Sequence, residues 1–288
     1  MAKPQINQAN PLTKFMRQPK IYITLPSEGK YWAPNTINIP ESGQLAVYSM
    51  TAKDELMMKT PDALLNGQSV VDVIHSCIPD IKSAWACPSI DLDMLLVAIR
   101  IATYGDKMTI GYKITEIDED ADYEIDLHTY IDQISQMQWR EQIVMSDEMT
   151  IFVRPLTYKN MTSISQKSFE TNKMLRIADD SSMTDQEKAT LLNESFKTLT
   201  DLTTDMVSTS IFKIKLGEQD VTEARHIKEF IENADKSVVD AIQTHINDLK
   251  VANDLKPAVL NTSEEQQSRG APATIEVPIS FDQSNFFA

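Results

Sequence analysis

The sequence predicts an α+β fold: an N-terminal mixed α/β domain with short antiparallel strands, then a helical domain, with extended termini. Three observations carry this reading. Alternating strand patterns and helix-period patterns occur together between residues 21 and 158. From 159 to 256 the apolar spacing is helical. Residues 1–20 and 257–288 are polar and irregular except at an aromatic close. The expected units are therefore an extended basic arm (1–20), an α+β domain (21–158), a helical domain (159–256), and a linker with an aromatic tail (257–288).

The arm carries Pro4, Pro11 and Pro19 and no hydrophobic period. Ile21, Ile23 and Leu25 then alternate with Tyr22 and Thr24, a strand signal, and Pro26 to Gly29 form a turn. "INIP" and "QLAVYSM" read as two further strands. Thr51 starts a helix as N-cap, with Asp54 at the third helical position completing a capping box. Thr60 and Pro61 restart helix after an interruption, and Gly67 permits a tight bend or close packing. Val70, Val71, Ile74, Cys77 and Ile78 form one apolar stripe, which Pro79 ends. In "SIDLDMLLVAIRIATYG", Ser89 caps a core helix, Asp91 and Asp93 favour its N-terminal dipole end, and Gly105 stops it.

"KMTIGYKITEIDEDADYEIDL" reads as a β-hairpin, "HTYIDQISQM" as a short helix and "MTIFVRPLT" as a strand. Three long helical patterns follow. The middle one runs from a Thr184/Glu187 capping box to "IFKI", with Leu191, Leu192, Phe196, Leu199, Leu202 and Met206 recurring along it. "NTSEEQQSRGAPAT" reads as a polar linker. The closing "IEVPISFDQSNFFA" is apolar and aromatic, a composition that docks on this chain or on a partner.

Composition narrows the function classes. A net charge of −15 disfavours general nucleic-acid binding, since phosphates are repelled and little counterion release is available. The charge is uneven. Residues 1–20 hold Lys3, Lys14, Arg17 and Lys20 and no acid, whereas residues 116–126 hold seven acids. Arm and acidic segment could dock on each other or on neighbouring copies, or both could simply be solvated. No apolar run approaches the ~18 residues of a membrane span, and the N-terminus lacks an apolar stretch of signal-peptide length. Cys77 and Cys87 read as buried free thiols, neither a redox pair nor a zinc site.

Catalytic and metal motifs fail on inspection. Asp118, Asp120 and Asp122 open like a calcium loop, but its glycine position is Tyr123 and its closing carboxylate position is Thr129. The four histidines, His75, His128, His226 and His245, lie at no zinc spacing. Neither a nucleophile elbow nor a phosphate-binding glycine loop occurs. The expectation is no enzyme, no catalytic, metal or cofactor-binding residues and no cofactor. A pair of carboxylates for glycoside cleavage is something any acidic chain could supply.

"LPSEGKYW", "MTAKDELMMKTPDALLNGQSVVDVIHSCIPDI" and "DLDMLLVAIRIATYG", in this order, with "YEIDL", "VRPLTYKN" and "FDQSNFF", resemble the baseplate hub protein family of T-even-like contractile-tailed bacteriophages. The resemblance covers most of residues 21–160. It implies a hub subunit or tail assembly factor that chaperones hub and tape-measure assembly by protein–protein binding. A zinc knuckle found around the hairpin in some relatives is not carried over, because this chain has no cysteines there. Asp54, Glu55, Lys59 and Asp62 then read as caps and a helix surface, either purely structural or facing a partner subunit. Expected partners are other hub or tape-measure proteins, with self-association open, and no nucleic acid, membrane or small-molecule substrate. The expected contact residues are Lys14, Phe15 and Arg17 in the arm and Phe281, Phe286 and Phe287 in the tail. Localisation is expected in the host cytoplasm during assembly and in the virion tail baseplate. The alternatives are an adaptor retained in the mature baseplate and a peptidoglycan-cleaving hub enzyme.

Overall fold

A computed structural model describes residues 12, 15–59, 67–178 and 184–279, with the side chains of 177, 178 and 185 left aside. The Thr60–Pro61 helix restart, Lys14, Phe281, Phe286 and Phe287 lie outside the described residues. The described fold is α+β, built on two hydrophobic cores.

The first core is organised by strands β1 (Pro19–Ile23) and β2 (Leu45–Tyr48), paired antiparallel with Ile21 opposite Val47 and Ile23 opposite Leu45. Pro19 and Lys20, expected in the arm, already belong to β1. "INIP" does not form a strand. Ile37 makes one isolated bridge to Ile81, and Pro40 has no N–H with which to extend a ladder. Helix α1 (Ala52–Met58) has the expected Thr51/Asp54 capping box. Helix α2 (Gln68–Cys77) buries Val70, Val71, Ile74 and Cys77, the expected stripe.

Helix α3 (Ser89–Tyr104) runs through the middle and is buried on every side from Met94 to Arg100. Its N-cap is Pro88, not Ser89. Ser89 is the first helical residue, and its N–H donates to the Leu156 carbonyl at 2.8 Å. Asp91 and Asp93 sit in its first two turns. Burial turns Asp91 into an acceptor for tertiary donors rather than a solvent-facing dipole partner. The hairpin β3 (Lys107–Ile114) and β4 (Glu119–Asp126) pairs Ile110 with Tyr123 and Met108 with Ile125, and α4 (His128–Ser135) follows.

The second core is a four-stranded antiparallel sheet of β5 (Gln142–Val144), β6 (Met149–Val153), β7 (Ile211–Leu216) and β8 (Gln219–Val221), in that order. Helices α5 (Tyr158–Ala178) and α6 (Asp185–Ser210) lie between β6 and β7 in the chain, and α7 (Ala224–Asn233) and α8 (Lys236–Ala252) follow. Ile227 and Ile242 are essentially inaccessible, each worth about 1.5–3 kcal/mol of burial. "IFKI" was expected to close the middle helix. It is strand instead, because Ile211 and Ile214 spaced three apart suit either period and β6 offers a pairing edge. This sheet joins residues on both sides of position 158.

The C-terminal segment returns to the first core. β9 (Ala258–Asn261) pairs with β10 (Thr274–Val277), and Ala258, Leu260, Ile275 and Val277 are buried there. "NTSEEQQSRGAPAT" is therefore not a free linker: it holds α9 (Glu264–Ser268), capped by Ser263 and Gln266. A cut at residue 272, inside the expected linker and tail, would remove the core residues Ile275 and Val277.

Candidate interaction surface

Cys77, Cys87, His75 and Asp91 are committed to packing. Among the described residues, no group of three or more His, Cys, Asp or Glu is placed to hold a metal ion. Burial pushes the Cys77 thiol up to about 12 and the enclosed Cys87 well above its ordinary value, so neither offers a thiolate. His75 accepts at Nε2 from the Ala84 N–H at 2.9 Å, and burial lowers its pKa. The neutral imidazole serves as a helix-end acceptor. Asp91 accepts from the Ser27 N–H at 2.9 Å, from the Ser27 hydroxyl, and from Trp32 Nε1 at 2.8 Å. Desolvation raises its pKa against these donors. Its lone pairs hold the Ser27–Trp32 turn onto α3.

Glycoside cleavage needs two carboxylates facing one cleft. Five of the surface cavities among the described residues are well formed. Three are lined by a carboxylate, and each has only one: Asp205, Glu28 or Asp254. No described helix is long and apolar enough to cross a membrane.

The arm's Arg17 is held by this chain. Its guanidinium donates to the Ser49 carbonyl at 2.5 Å, to the Ser76 carbonyl at 2.5 Å and to the Ser76 hydroxyl at 3.0 Å. It lies 3.8 Å from the carboxylate of Asp54 and 5.9 Å from the Tyr48 ring centre. Asp54 also accepts from Ser76 Oγ at 2.9 Å and from the Thr51 N–H at 2.7 Å. The Thr51/Asp54 cap is thus the inner half of a clamp on the arm. Phe15, two residues earlier, is 74% exposed.

Among the described residues, no ion pair joins the arm to the acidic segment. The acids of β3–β4 find cations nearer at hand: Asp118 with Lys113 at 2.6 Å, Glu124 with Lys107 at 2.6 Å, and Glu119 with Arg269. Antiparallel register places the two lysines within reach, at less entropic cost than ordering a distant arm.

Exposed apolar surface concentrates on the α5–α6 hairpin. From Gln166 to Arg176 only Thr171 is buried, and from Gln186 to Thr200 only Ser195. Among the described residues, the buried positions of this outer part are the ones on the seam between the two helices. Small side chains at Thr171 and Ser195 let the helices approach closely, so Ser195 takes the seam and the neighbouring Phe196 is turned out, 60% exposed. Phe196 therefore leaves the buried stripe that its spacing suggests. At 100° per residue, Phe196 and Leu192 fall on the side of α6 that adjoins the Phe169 side of antiparallel α5. Phe169 is 65% exposed. Glu187, Glu194, Asp201 and Asp205 share the opposite side of α6.

Toward the base of that apolar side, a groove of about 630 Å³ opens between α5, α6 and α8. Leu156, Met161, Met206, Val207 and Ile246 line it, with Trp139 at one wall and Arg154 and Lys250 as cations. Trp139 is fixed by its Nε1 donating to the Val153 carbonyl at 3.0 Å. Sequence reasoning did not find this groove. Its walls come from five separated segments, and the exposed Phe169 and Phe196 look like core in a helical period.

A protein-family model described as T4 bacteriophage base plate protein matches residues 18–266. The search of curated proteins returned no match, and neither did the search of solved structures.

Proposed function

This chain belongs to the T4 bacteriophage base plate protein family, and we propose that it acts there by protein–protein binding, as a hub subunit or assembly factor that chaperones hub and tape-measure assembly. A structural role in the phage baseplate follows from the family. The hub assignment and the chaperone role are the proposal. The observation that carries it is the outer α5–α6 hairpin, with Phe169, Leu192 and Phe196 exposed on one side and only Thr171 and Ser195 buried over its described length. A two-helix arm of this kind suits capture of an apolar helix of a partner. Arg17, clamped to Asp54 and Ser76, orients the arm from which Lys14 and Phe15 meet the partner, and Phe281, Phe286 and Phe287 extend that surface. Binding without catalysis agrees with thiols raised by burial and carboxylates taken up in caps and turns. Assembly takes place in the host cytoplasm.

Two measurements test this. Phe169→Asp with Phe196→Asp leaves the melting curve unchanged and abolishes co-purification with hub and tape-measure proteins; undiminished co-purification would refute the hairpin as the contact. Mass spectrometry of mature particles beside baseplate intermediates separates the roles. Fixed copy number in both makes the chain a retained adaptor, and presence only in intermediates makes it a departing chaperone.

A further inference from the structure

The groove between α5, α6 and α8 has walls suited to aromatic side chains and two cations beside them, Arg154 and Lys250. Outside the described residues lies a segment of matching chemistry. Residues 280–288 carry Phe281, Phe286 and Phe287 with the single acid Asp282. We propose that in the free protein this groove is the receptor for the chain's own residues 280–288, so that the binding surface is occupied in cis until a partner displaces the tail.

Reach supports one chain serving as both receptor and ligand. Val277 pairs with Ala258, just after the end of α8, and Ile279 packs against the first core. Asn253 closes α8 and binds the Gln138 backbone through both its amide nitrogen and its carbonyl oxygen, at 3.1 and 3.2 Å, beside the Trp139 wall. Lys250 of the groove lies less than one turn before Asn253. A path from Ala258 to Asn253 extended to its limit, with that turn and one strand spacing, sums to about 28 Å, and the two residues from Val277 to Ile279 add at most about 7 Å. The Asp254 N–H still donates to the Val251 carbonyl, so the actual path is shorter than that limit. Residues 280–288 span about 30 Å when extended, a length that matches the near end of the groove on the same molecule. A tether this short gives the cis arrangement a millimolar effective concentration over a second copy. Phe286 and Phe287, at the far end of this reach, meet the apolar walls, and the two cations favour a tail whose one charged side chain is acidic.

This rests on the binding role proposed above, but its test needs only the isolated full-length chain, so the two can fail separately. The photo-crosslinker p-benzoylphenylalanine replaces Phe286, a position whose change leaves both described cores intact. Light and heavy isotope-labelled chains are mixed, irradiated and digested. The expected product joins the tail peptide to peptides containing Met161, Met206 or Ile246 within single-label chains, and yield falls at least several-fold in Met206→Asp. Mixed-label products would overturn cis docking in favour of a second copy. Crosslinks elsewhere, or no crosslinks, would overturn the groove as the receptor.

Discussion

Arg17 and Ser76 are 59 residues apart in sequence, yet one guanidinium nitrogen of Arg17 donates to both the carbonyl and the hydroxyl of Ser76, at 2.5 and 3.0 Å. Its other terminal nitrogen takes the Ser49 carbonyl at 2.5 Å. A planar fork with fixed N–H directions can bridge β2's end and α2's end at once; an ammonium cannot. Arg17→Ala is therefore expected to cost about 2 kcal/mol, since two carbonyls lose a charged donor and the Asp54 carboxylate loses a counter-charge 3.8 Å away. Arg17→Lys should recover less than half. Urea unfolding midpoints at constant slope check both, and a Lys variant equal to the native chain would show that charge alone suffices.

Asp91 gathers donors from Ser27 and Trp32, and each of its oxygens is used. In Asp91→Asn one side-chain oxygen becomes an NH₂ group that must face a donor. The expected loss is about 2–3 kcal/mol, the penalty of one buried group left unpaired beside a weakened pair. Trp32 fluorescence should shift to the red at temperatures well below global unfolding.

Asp93 is raised to about 6, mainly by burial and then by the Asp254 charge. Because the folded pKa lies above the ordinary carboxylate value, the fold favours the protonated form. Its contribution is fully present below about pH 4 and is lost as pH climbs through about 6. Asp93→Asn keeps the neutral form, so it should exceed the native chain in stability at pH 7 by about 1–3 kcal/mol. The advantage should vanish near pH 3.5. Paired unfolding curves at the two pH values decide it, and an equal difference at both would refute the titration.

Gly67 sits at φ +74°, and a Cβ there would lie 3.0 Å from the Tyr158 hydroxyl and 3.1 Å from Thr162 Oγ1. Both the conformation and the space oppose a side chain. Gly67→Ala should lower stability by about 1–2 kcal/mol. Adding Tyr158→Phe should restore part of the loss by removing the nearest atom, and a strictly additive double variant would locate the whole cost in the backbone.

Local chemistry in the sequence was enough for much of the first core. The Thr51/Asp54 box, the Val70–Ile78 stripe, Gly67 and the β3–β4 pairing all follow from neighbours within a few residues or from a two-residue period, and each forms as expected. "INIP" and "IFKI" show the limit. Whether a short apolar run becomes strand depends on a free edge to pair with, which Ile37 lacks and Ile211 finds on β6.

The surface was less legible. Arg17 and Phe15 were both visible as arm residues, but only the fold distinguishes the anchored side chain from the exposed one. Phe196 has the spacing of a core residue and becomes surface because two small residues bring the helices close enough to turn it outward. By itself, the sequence determined the Thr51/Asp54 and Thr184/Glu187 caps, the buried stripe of α2 and the β3–β4 hairpin, since those depend on interactions along the chain. Tertiary structure alone decided the mixed-origin sheet, the groove and the exposed hairpin, since these depend on surfaces from distant segments meeting across space.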